Sequence, residues 1–222
     1  MRAMFNPVNT NLIARMAVSC MIFAMPSIQA DYQSGLNAYQ EGQFNLAILE
    51  WQRVVESPPG EVSDEVRAEA LYAIGMLYWL GQGVQQDTME SASWLQLAAE
   101  LQHPGAQTKL AFLYSSGQGV KQSNFEALKW WEMAANQGDA DAQYNLGVAY
   151  RDGMGVEPDA DVSLRWFREA AANGNYLSAA AVENYEQTGS LLTANGSRIT
   201  PSQERPSSGD TAFAPVRDNM AK

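Results

Sequence analysis

The sequence predicts an all-α protein, an α-solenoid of stacked helix-turn-helix units. Three observations carry this expectation. The motif Tyr-x-x-Gly-x-Gly-Val stands at 78–84, 114–120 and 150–156, a step of 36 residues. The residues around it place apolar side chains at helical spacing. No segment sustains an alternation of apolar and polar residues, so no strand is expected.

Shifting the chain by 36 aligns three full units without a gap, 70–105, 106–141 and 142–177, and a fourth that starts at Ser178 and fades after Gly189. In the first helix of each unit, places one, five, eight and nine form an apolar stripe, exemplified by Ala106, Leu110, Leu113 and Tyr114. The sixth place is small (Gly75, Ala111, Gly147), which lets helices approach closely. In the second helix, Ala127, Trp130, Trp131, Ala134 and Ala135 share one face, and Trp94 and Trp166 align with Trp130. Strict repetition of the Trp and Tyr positions marks packing residues, since a ligand site need not recur.

The paired glycines then serve a turn. Gly81, Gly117 and Gly153 end the first helices, where a left-handed conformation suits a residue without Cβ. The second glycines (Gly83, Gly119, Gly155) keep the loop tight, and Val84, Val120 and Val156 fold back as apolar contacts. A phosphate-binding loop would need a strand before the glycines and a helix start directly after them, and neither is expected here.

Residues 31–59 form a shorter unit, with Ala38, Tyr39, Gly42, Phe44, Ala47 and Trp51 but no long Gly-x-Gly-Val loop. "SPPGEVSD" at 57–64 is a turn-rich joint leading into the regular units at 60–189. With these residues in place, the chain resembles the Sel-1-like repeat proteins, the long-loop branch of the tetratricopeptide superfamily, and 31–59 resembles an ordinary tetratricopeptide helix pair. The resemblance implies a scaffold for protein–protein contacts, often in the bacterial envelope. Some exported relatives cross-link each repeat with a Cys pair. This chain has a single Cys, so no activity of that subgroup is carried over.

Residues 1–30 read as an export signal. Arg2 and Arg15 precede the uncharged run Met16–Met25, and Ala30 offers a small residue for cleavage. The run of ten is too short to span a bilayer, which takes about 20 apolar residues. Lipidation of Cys20 is the alternative, although Ala17-Val18-Ser19-Cys20 lacks the usual leucine of a lipoprotein box. A periplasmic or secreted location is therefore expected. At the other end, residues 190–222 are rich in Ser, Thr, Gly and Pro and are expected to be disordered, the alternative being a partner-docking peptide anchored by Phe213.

Composition narrows function. The 222-residue chain has 25 acidic against 14 basic side chains, a net charge of −11. That disfavours nucleic acid, which calls for a basic patch. One His and one Cys cannot build a zinc cage, and no cofactor is expected. His103 aligns with Asp139 and Asn175 and reads as a polar loop residue. The carboxylates at 139–141 and 157–161 read as helix-start caps and not as a calcium loop. There is no nucleophile elbow, HExxH or P-loop, so no enzyme is expected.

The candidate binding residues are those that differ between copies. They are Tyr72, Met76 and Trp79 in the first unit, Thr108, Phe112 and Ser115 in the second, and Tyr144, Val148 and Arg151 in the third. At 100° per residue they fall roughly opposite the constant stripe. Lys109 and Asn145, both at place four, flank them. Two readings of this stripe remain open, a groove for a protein or peptide partner and packing between units. The functional expectation is an exported, non-catalytic scaffold for an envelope partner. The alternatives are a cell-wall or β-lactam-directed hydrolase and a self-associating structural protein.

Overall fold

The computed structural model describes residues 31–201. The expected leader, with Cys20, and the tail beyond Pro201, with Phe213, lie outside the described residues. The chain forms α1 (31–40), α2 (Phe44–Glu56), α3 (Asp64–Leu80), α4 (Thr88–Glu100), α5 (Pro104–Ser116), α6 (Asn124–Asn136), α7 (Ala140–Asp152), α8 (Ala160–Ala172) and α9 (Tyr176–Thr188). A two-stranded antiparallel hairpin follows, β1 (Leu191–Leu192) and β2 (Arg198–Ile199). Helices pack pairwise within a unit (α3 on α4, α5 on α6, α7 on α8), and each second helix packs on the first helix of the next unit. This is the stacked-hairpin solenoid that the period implies.

Local chemistry fixes each helix end. From α3 onward every helix opens on a side-chain cap: Ser63, Asp87, His103, Ser123, Asp139, Asp159 and Asn175 each accept a backbone N–H of the first turn. His103 is thus more than a loop residue, because its Nδ1 accepts from Ala106 N–H at 3.0 Å. The first helices end on Gly117 and its equivalents in left-handed conformation, with φ of 71° at Gly117. Gly117 and Gln118 N–H both donate to the Leu113 carbonyl, at 2.8 and 3.1 Å. The loop then closes on the helix it left, as Ser123 N–H donates to the Tyr114 carbonyl at 2.9 Å. The same bond recurs between Asp87 and Tyr78 and between Asp159 and Tyr150.

The second glycines do more than tighten this loop. Gly119 lies on the Thr88 carbonyl at the start of α4, in the preceding unit. Gly155 lies on Asn124 at the start of α6, where an added Cβ would stand 2.9 Å from the Asn124 Cβ. Gly83 makes the same approach to Phe44 and Asn45 at the start of α2. The second glycine is therefore a contact between units, and it also stacks the short unit onto the long ones.

The constant stripe forms the core. Ala106, Leu110, Leu113, Ala142, Leu146 and Ala149 are fully buried. Each buried Leu contributes about 2 kcal/mol. Val84, Val120 and Val156 fold back onto the clusters beneath their loops. At the joint, the Arg67 guanidinium donates to the carbonyls of Val55 and Ser57, satisfying the end of α2.

Among the described residues the array ends at α9, and the 36-residue step shows why. Glu183 and Glu186 stand where α7 has Gly147 and Tyr150, the residues that face a second helix. Both glutamates are exposed, and α9 buries only Ser178 completely. The expectation of no strand and of disorder from residue 190 needs correction over 190–199. Leu191 is 3% exposed in a cluster with Leu164 and Phe167, and Ile199 packs beside it. Asp152 accepts the Ala194 N–H at 3.0 Å and ties the hairpin to α7. Apolar surface of α7 and α8 that no further helix covers among the described residues holds this short hairpin in place.

Candidate protein-docking face

The residues that vary between copies sit on the first helices α3, α5 and α7. Phe112 is exposed, at 40%. Tyr72, Met76, Trp79, Thr108, Lys109, Tyr144, Asn145 and Arg151 are half-buried, as are Ser115 and Val148. Two of them, Tyr72 and Thr108, reach the residues that cap the next first helix. The Tyr72 ring stacks on His103 at 4.5 Å between centroids. Thr108 Oγ1 donates to Asp139 at 3.0 Å. Tyr144 leans on Phe167 at 5.8 Å. Arg151 is held by Asp152 at 2.7 Å. The stripe therefore both bridges units and leaves surface outside them.

The centre of this face has a distinct chemistry. Lys109 Nζ lies 2.9 Å from the centroid of the Trp79 ring and 5.1 Å from that of Phe112. No carboxylate lies within ion-pair distance of it among the described residues. Burial lowers its pKa to about 8, while the ring face favours the cation. Asp139, Glu69 and Asp141 have partners of their own. Asp139 caps α7 and accepts from Thr108. Glu69 faces His103 Nε2 at 3.4 Å, and Asp141 accepts from Asn175 at 3.0 Å. Burial, followed by the charges of Asp139 and Glu69, raises the Tyr72 pKa and keeps its hydroxyl neutral.

Two further features were not anticipated. Gln107 and Gln143, one step apart, are buried at 0% and 3%. Each amide donates to a carbonyl near the end of the preceding second helix, Gln107 to Ala99 and Gln143 to Ala135. Each carbonyl oxygen accepts from the loop ahead, from Gln137 and Asn173 respectively. An identical polar residue recurring beside the apolar stripe was the available signal. The second is a shallow cleft lined by Arg151, Phe167, Asn184, Leu191 and Leu192, which exists only because the hairpin folds back.

Among the described residues, no three His, Cys, Asp or Glu side chains come together in a metal-binding arrangement. No helix among them is long and apolar enough to cross a membrane. The glycine loops are preceded by helices and cradle neighbouring backbone.

Comparison with known proteins follows this geometry. The Sel1 repeat family model matches residues 68–103, 104–139 and 140–175. Its frame starts two residues before the 36-residue units of the sequence, at the helix starts Pro104 and Ala140. A Sel1 repeat protein from Oxalobacter formigenes is similar in structure, with a TM-score of 0.63 and 28% identity over 71% of this chain and 61% of that one. A protective antigen of uropathogenic Escherichia coli with an SLR fold is similar at a TM-score of 0.66 and 28% identity, over 84% of this chain and 38% of that one. The chain thus spans about three-fifths and two-fifths of those structures. No curated protein matches it in sequence. Three consecutive family matches, on helix pairs stacked through their Gly-x-Gly loops, identify residues 68–175 as three Sel1 repeats.

Proposed function

We propose that this protein is an exported, non-catalytic scaffold that holds a protein or peptide partner in the bacterial cell envelope, on the face formed by α3, α5 and α7. Sel1 repeat proteins generally act as protein-interaction scaffolds. The observation that carries the reading is the contrast along each first helix. The buried places repeat from copy to copy, while Met76, Trp79, Lys109, Phe112 and Asn145 differ and reach the surface. Aromatic, Met and polar side chains of this kind suit a recognition surface. The envelope location rests on the leader-like residues 1–30.

The test is substitution with a fold control. Arg at Met76 or Phe112 is expected to abolish capture of partners by the tagged protein in its native cells, with the melting temperature unchanged. Undiminished capture by both variants would refute this face. A self-associating protein would instead scatter light as an oligomer at all concentrations tested.

A further inference from the structure

We propose that the partner segment presents one Asp or Glu side chain to Lys109, with apolar residues on both sides of it. This rests on the docking reading above and adds the chemistry of the occupant. Lys109 sits in the middle unit, on α5, with its ammonium against Trp79 and beside Phe112. Its N–H donors find no acceptor among the described residues. No carboxylate is within ion-pair distance of it among the described residues. A cation held between aromatic walls without a counter-ion is a built place for an anion.

The kind of anion follows from charge and position. A single ammonium carries one positive charge, which one carboxylate balances, whereas a phosphate monoester at about −2 would keep an unbalanced charge beside this acidic chain. The chain carries a net charge of −11, which repels an acidic run. The partner's remaining contacts are therefore apolar. Trp79 and Phe112 receive them on one side, and Tyr144 and Val148, one unit on, receive them on the other. A chain end at Lys109 would leave half the face uncovered. The carboxylate therefore belongs to an internal residue.

The test uses the full-length protein, immobilised, and pools of acetylated, amidated 12-residue peptides randomised among Leu, Val, Phe and Ser around one central residue. The Glu-centred pool is expected to be retained about tenfold better than the Gln-centred pool, as a charge-assisted contact supports. Lys109→Met should equalise the two pools, and Lys109→Arg should preserve the preference. Melting curves confirm that both variants fold. Equal retention of the pools on the wild type overturns the proposal but leaves the docking face standing. Retention of neither pool overturns both. A preference for a Gln-centred pool with a free C-terminal carboxylate also overturns it, as does a Glu preference that survives Lys109→Met.

Discussion

Gly119 rests so closely on the Thr88 carbonyl that any Cβ at this position would overlap it. The two residues belong to different repeats, so this glycine sets how one unit seats on the one before. Gly117, two residues earlier, is left-handed at φ 71°, but an added Cβ there would come no closer than 3.1 Å, to the Gln122 Cβ. Gly117→Ala is expected to cost about 1–2 kcal/mol, the left-handed penalty alone. Gly119→Ala is expected to cost about 3 kcal/mol or more, because overlap with backbone adds to it. Chemical denaturation of the two variants checks the order. Equal costs would mean that the second glycine has no stacking role.

The hairpin makes a second prediction. Leu191→Ala is expected to destabilise by about 2–4 kcal/mol, since Leu191 fills space against Leu164 and Phe167. Truncation after Gly189 should lose at least as much, because it also removes the Ala194 bond to Asp152. A truncated protein as stable as the parent would restore the reading of residues 190–199 as unstructured.

The buried glutamines make a third. Gln107→Met is expected to cost about 1–3 kcal/mol, because it removes both buried bonds of the bridge and leaves the Gln137 amide only its longer bond to the Met133 carbonyl, at 3.4 Å. A double-mutant cycle with Gln137→Ala should show coupling between the two sites. Additive effects would contradict the bridge.

Lys109 gives a dependence on pH. Its folded pKa is lowered to about 8 by burial, against about 10.4 in an unfolded chain. Below pH 8 both states are charged and the fold bears the desolvation penalty. Between the two values the unfolded chain binds more protons, so this group's contribution rises with pH. Lys109→Met is therefore expected to melt above the wild type at pH 7, with the gap narrowing towards pH 10. A gap independent of pH would show that burial does not strain this ammonium.

The helix pairs of the three long units were legible because packing within a unit repeats. Leu110 and Leu146 occupy one environment, so the sequence writes it twice. What happens between units was less legible. The Gly119–Thr88 contact joins residues 31 positions apart, and nothing in either neighbourhood marks the pairing. His103 was hidden as a cap because an imidazole seldom takes that place, although its alignment with Asp139 and Asn175 carried the clue. The hairpin was missed because its strands are two residues each, too short to show a period. On the candidate face, the sequence identified the varying residues but not that Tyr72, Thr108 and Arg151 are already engaged. Side-chain bridges across units depend on how the units stack.

The most direct test of the central claim is site-specific photocrosslinking in the native cells. A photoreactive phenylalanine analogue would replace Phe112 on α5 or Phe125 on α6, which are 40% and 51% exposed on first and second helices respectively. A discrete partner adduct is expected from position 112 and none from position 125. Adducts from position 125 alone would contradict it and place the binding surface on the second helices.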